Sequence, residues 1–69
     1  MDRKSVTSSN ISSIGYDKET QTLEIEFKGG SVYTYHDVSP AKADELMNAE
    51  SHGKYFHAHI RNAHSFSKG

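Results

Sequence analysis

The stretch Thr22-Leu23-Glu24-Ile25-Glu26-Phe27-Lys28-Gly29-Gly30-Ser31-Val32-Tyr33-Thr34-Tyr35 decides how this chain folds. Leu23, Ile25 and Phe27 alternate with Thr22, Glu24, Glu26 and Lys28, the period-2 pattern of a strand with one face buried and one wet. Gly29-Gly30 interrupts it, because glycine supplies the positive φ of a tight hairpin turn. Ser31–Asp37 then resumes as a second β-rich run. Turn length sets the register, and a slip of one residue turns every side chain over. A two-residue turn pairs Lys28 with Ser31 and stands Tyr33 and Tyr35 outside, beside Glu26 and Glu24. A three-residue turn (Lys28-Gly29-Gly30) pairs Phe27 with Ser31 and brings Tyr33 beside Ile25 and Tyr35 beside Leu23. The second register separates polar from apolar better, and each buried aromatic covers ~150–250 Å². In the first register the same tyrosines become exposed stacking platforms of the kind single-stranded RNA binders use.

Toward the N-terminus, Ile11, Ile14 and Tyr16 mark a weakly patterned strand ending at Gly15-Tyr16-Asp17, and residues 17–21 make a polar connection of hairpin length. Residues 1–7 lack periodicity and read as a flexible arm ahead of one domain over residues 8–66. Toward the C-terminus, Ser39-Pro40 opens a helix: the serine hydroxyl accepts from an orphan N–H, and proline at the first position loses nothing. Ala43, Leu46, Met47 and the methylenes of Glu50 form its inward stripe. Gly53 is placed to stop it as a left-handed C′ residue. A second helix is expected from Lys54 to about His64, with Phe56, Ile60 and Ala63 inward and Tyr55, His59 and Phe66 alongside. The expected fold class is α+β: a three-stranded antiparallel β-meander followed by two short C-terminal helices packed on one face.

Length and composition bound what such a fold can be. A 69-residue chain supplies only ~3–5 kcal/mol from a single core. It has no cysteine, which removes disulfides and thiolate zinc sites and fits a reducing, cytoplasmic location. No apolar run nears the ~18 residues of a membrane span, so no membrane partner is expected. The net charge is −1, but it is unevenly spread. Residues 1–50 hold five Lys/Arg against all nine Asp/Glu; residues 51–69 hold Lys54, Arg61 and Lys68, no acid and four of the five histidines. This asymmetry reads either as an anion-facing C-terminal surface or as the ordinary scatter of three basic residues.

His57 and His59 are two apart and diverge on a helix, and His59 and His64 are five apart, so no ready metal pair forms; neither metal nor cofactor is expected. The serines near the N-terminus lack a His–carboxylate partner at a recognisable spacing, and Gly29-Gly30 joins strands rather than preceding a helix. The chain is therefore not read as an enzyme. Lys54, His57, Arg61 and His64 follow steps of three, four and three, one stripe of a helix. Arg61 can bridge phosphates with two N–H bonds and Lys54 supplies a mobile charge. The same stripe also reads as the ordinary polar face of an amphipathic helix.

Ser8-Ser9-Asn10-Ile11, Ile14-Gly15-Tyr16-Asp17, Leu23-x-Ile25-x-Phe27, Gly30-x-x-Tyr33-x-Tyr35, Val38 and Ser51-x-Gly53-x-Tyr55-Phe56 together resemble the KTSC domain family over about residues 5–62. That family takes its name from a C-terminal extension of some lysyl-tRNA synthetases and also occurs as small bacterial and phage proteins. The resemblance implies a small binding module, with RNA or another nucleic acid as partner; it defines no catalytic residues. Lys54, His57, Arg61, His64, Tyr33 and Tyr35 are the nucleic-acid-binding candidates. The alternative is a protein-interaction module, with an unidentified protein partner on the sheet edge or outer face.

Overall fold

Alternation in residues 22–35 becomes a hairpin that anchors a five-stranded sheet. A computed structural model describes residues 3–68; Met1 and Asp2 of the expected arm, and Gly69, lie outside the described residues. The elements are β1 (Arg3–Ser5), β2 (Ile11–Asp17), β3 (Thr22–Phe27), β4 (Val32–Tyr35), α1 (Pro40–Asn48), α2 (His52–His59) and β5 (Phe66–Lys68). The strands lie in chain order, each antiparallel to its neighbours.

The α+β class and two short helices match the expectation, but the strand count does not. The three-stranded meander is the middle of the sheet, and the helices do not end the chain. Arg3–Ser5, within the segment expected as an arm, pair along Ser13–Gly15. Phe66–Lys68 return after α2 to pair along β4. Strands of three residues are too short to show alternation in sequence, and their hydrogen bonds depend on an edge supplied from far along the chain.

The three-residue turn is the one adopted. The Phe27 N–H donates to the Ser31 carbonyl (2.8 Å) and the Gly30 N–H to the Phe27 carbonyl (3.0 Å). Gly29 and Gly30 sit at φ +110° and +97°, where a side chain would be strained. Leu23 therefore faces Tyr35, and Ile25 faces Tyr33. A β-bulge explains why the first strand read weakly. Ile11 and Ile14 are three apart, which period 2 cannot place on one face, but the register shifts between Ile11 and Ser13. The extra residue returns both isoleucines to the core.

Both helices cover this one face. Ser39 caps α1, accepting from the Lys42 N–H, with Pro40 at the first turn as expected. Ala43 and Leu46 are buried, Met47 is half-buried, and Glu50 lies exposed beyond the helix. Ile11, Ile14, Leu23, Ile25, Tyr35, Val38, Phe56 and Ile60 complete the core. The Tyr16 hydroxyl donates to the Val38 carbonyl and ties β2 to the entry of α1. The Tyr55 hydroxyl donates to Glu45 Oε2 (2.6 Å) and joins the helices. On the opposite face, Arg3 reaches Glu24 (3.3 Å) across Gly15, which pairs with both.

Gly53 overturns the expected helix punctuation. It is not at positive φ and does not terminate α1; it lies in the first turn of α2. Helix α1 ends instead at Ala49, whose extended backbone still donates to the Leu46 carbonyl. Ser51 then caps α2, accepting from the Lys54 N–H. Helix α2 stops at His59 rather than His64, with Ile60 as its C-cap, and Ala63 is exposed rather than inward.

Two measurements check this packing. Tyr35 is 3% exposed, so Tyr35→Ala should cost about 3–5 kcal/mol, as large-to-small core changes do. That is all the stability expected of so small a core, so urea titration followed by circular dichroism should find Tyr35→Ala largely unfolded and Tyr35→Phe folded. The Tyr55 phenol is pushed up to about 12, first by burial and then by its bond to Glu45. A raised folded value means this contribution is whole below pH 10, the unfolded value, and is lost as pH rises towards 12. An absorbance titration should show a step near pH 12 that disappears in Tyr55→Phe and moves down in Glu45→Gln.

Candidate functional site

Cross-strand pairing puts Tyr33, Tyr35, Phe66 and Lys68 on the helix-covered face, because Tyr35 lies opposite Phe66 and Tyr33 opposite Lys68. Helix α2 roofs only part of it. Phe56 packs edge-on against Tyr35 (5.2 Å) and against Phe27 (5.5 Å). Past α2 the face opens, leaving a groove of about 700 Å³ between α2 and the β4–β5 end of the sheet.

Aromatic rings make the floor. Tyr33 packs edge-on to Phe27 at 5.5 Å and lies nearly parallel to Tyr35 at 6.5 Å. Phe66 tilts against both tyrosines at 5.5 Å and is 53% exposed. His57 and Arg61 stand on the α2 side, Asn62 beside them, and Asn10, Ser31 and Gly53 at the hairpin end. None of the lining residues is acidic. Arg61 Nη1 lies 3.1 Å from both ring nitrogens of His57. Among the described residues the ion pair is that of Arg3 with Glu24, and Glu45 is taken by Tyr55, so neither draws Arg61 away from the groove.

The candidates chosen from sequence divide accordingly. Tyr33, Tyr35, His57 and Arg61 line the groove together. Tyr35 does so as a core residue, its phenol raised mainly by burial, so it offers no free stacking face. Tyr33 is half-buried and contributes an edge of the floor. Lys54 is exposed one turn before His57 on α2, outside the lining. His64 leaves the stripe altogether. The helix has ended, and the Lys42 ammonium donates to His64 Nε2 (3.0 Å) while Nδ1–H donates to the His36 carbonyl (3.1 Å). An ammonium can only donate, which assigns the ring proton to Nδ1. His64 is a clasp between the turn after β4 and α1.

Phe66, Asn10 and Asn62 were not singled out for the site by sequence. Phe66 was read as flanking a continued helix, and only the pairing of β5 turns it to the floor. Asn10 and Asn62 are polar residues in connecting segments, with no periodicity to mark them. Among the described residues no group of three or more His, Asp or Glu side chains could hold a metal ion. No helix among them is long and apolar enough to cross a membrane.

With this geometry in hand, the chain compares closely with known proteins. Residues 7–66 match the KTSC domain. An uncharacterised protein of Stutzerimonas stutzeri is 39% identical over 64 residues, which cover 93% of this chain and 90% of that protein. A lysine–tRNA ligase of Nostoc punctiforme is 42% identical over 58 residues, 84% of this chain but 10% of the ligase. A crystal structure of a KTSC domain protein from Yersinia pestis superposes with a TM-score of 0.93 at 36% identity, covering 99% of this chain and 96% of that one.

Gly53 tests how the hairpin end of the groove is held. A Cβ added there would meet Asn10 Oδ1 at 2.6 Å, so the side chain of Asn10 must swing aside. Asn10 is exposed and tethered by the Ser8 hydroxyl at 3.2 Å. Gly53→Ala should therefore raise stability by up to about 1 kcal/mol, the usual gain where the backbone suits alanine. The Asn10 side-chain amide resonances should shift at the same time. A loss of stability beyond about 1 kcal/mol would mean that Asn10 cannot give way.

Proposed function

This chain belongs to the KTSC domain family, and from its groove we propose that it is a non-enzymatic module that binds single-stranded RNA. The observation that carries the reading is the aromatic floor of Tyr33 and Phe66 beneath a rim of His57 and Arg61 with no lining carboxylate. Aromatic faces hold bases without regard to sequence, and a guanidinium free of carboxylates can take a phosphate with two N–H bonds. Lys54, one turn back on α2, and Lys68, opposite Tyr33, extend the cationic surface along a strand's path. Relatives named as lysine–tRNA ligases make RNA the favoured nucleic acid. They act on a tRNA through a protein of which this domain matches a tenth or less, so the ligase activity itself is not carried over. The competing protein-interaction reading draws less support: both edge strands are three residues long and bear Arg3, Lys4 or Lys68, the kind of edge that discourages strand addition.

Fluorescence anisotropy with mixed-sequence single-stranded RNA, across a salt series, tests the proposal. Wild type should bind at low salt and weaken steeply as salt rises. Lys54→Glu with Arg61→Glu should abolish binding while the circular dichroism spectrum stays unchanged, since both side chains are exposed. Arg61→Gln should flatten the log–log salt slope by roughly one unit if it loses one phosphate contact. Absence of binding by wild type at low salt would refute RNA binding.

A further inference from the structure

We propose that the groove accepts an unpaired nucleobase face-on against Phe66, with the edge of Tyr33 beside it and that nucleotide's phosphate on Arg61 and His57. This rests on the RNA-binding reading and assigns Phe66 as its base-stacking residue. Phe66 is the large apolar side chain left exposed among the described residues, and it is held at a fixed tilt over two tyrosines by the β4–β5 pairing. An exposed aromatic held rigidly at the mouth of a groove is a platform that lacks its top layer.

The chemistry around it narrows what the top layer is. Phe66 offers an exposed aromatic ring, tilted against the tyrosines beneath it, which calls for a planar partner. The rim is cationic, with no acidic lining residue, which calls for an anion joined to that partner. Asn10 and Asn62, both in the lining, offer amide groups that both donate and accept, as the edge of a heterocycle requires. A base with its phosphate meets all three conditions. A paired base does not, because a duplex buries base faces in its own stack and presents only edges. The groove's volume of about 700 Å³ is ample for a single nucleotide and lies in the range of small-ligand sites.

Three oligomers of equal phosphate number separate the possibilities: an unstructured single-stranded RNA, an RNA duplex, and an abasic backbone. The single strand should bind about ten-fold or more tighter than the abasic backbone, given the usual worth of stacking one base. Phe66→Leu, which keeps an apolar residue in β5, should reduce single-strand binding towards the abasic level and leave abasic binding unchanged. The chain has no tryptophan, so Phe66→Trp keeps a ring in place and adds a single indole that can be excited selectively over the four tyrosines. Its emission should be quenched by the single strand and not by the abasic backbone. Equal binding of single strand and abasic backbone, or duplex binding as tight as single strand, overturns base insertion while RNA binding through phosphates stands. Failure of every oligomer to bind overturns both.

Discussion

The Phe27 N–H donating to the Ser31 carbonyl across Lys28-Gly29-Gly30 is the constraint on which the rest of this small structure depends. It needs positive φ at both glycines. With it, Tyr35 falls opposite Leu23 and beneath Phe56, and Tyr33 falls opposite Ile25 at the groove floor. A turn shorter by one residue would send both tyrosines to the polar face beside Glu24 and Glu26. The core would lose Tyr35 and the groove its floor. Stability and candidate site thus share one turn.

The groove exists because α2 stops while the sheet continues. Ile60 closes the helix; the N–H groups of Ile60 and Arg61 both donate to the Phe56 carbonyl, and the chain turns back towards β4. The His36 N–H then donates to the Ser65 carbonyl, and His64 bridges the His36 carbonyl and Lys42. These bonds set β5 beside β4 and turn Phe66 onto the face that α2 leaves bare. A helix continuing to His64 would have carried Arg61 and His64 on one polar face and left the β4 edge unpaired. Pairing that edge satisfies backbone groups that water would otherwise have to solvate.

Charge follows the same division. The acids of residues 1–50 lie mostly away from the groove: Glu24 is engaged by Arg3, Glu26 by Ser13 and Glu45 by Tyr55. The groove's rim is drawn from the acid-free C-terminal segment. Of the three basic residues in that segment, Arg61 lines the groove, while Lys68 pairs opposite Tyr33 on β5 and Lys54 lies one turn before His57 on α2.

Much was legible without a structure. The alternation of Leu23, Ile25 and Phe27, the glycine pair, and Ser39-Pro40 are local signals, each complete within a few residues. They determined the central hairpin, the start of α1 and the α+β class; they favoured the three-residue turn, and the register itself came from the structure. The family was also legible, from fragments spread over most of the chain. Gly53 misled because a glycine between two helices suits a left-handed stop, whereas here it admits the side chain of Asn10 against the first turn of α2. Asn10 lies 43 positions away, and no local pattern announces such an approach. The end of α2, the clasp at His64, the two outer strands and the exposure of Phe66 were likewise decided by tertiary structure. Each depends on backbone or side-chain partners remote in sequence, and residues 60–68 carry no glycine, proline or alternation to fix their conformation locally.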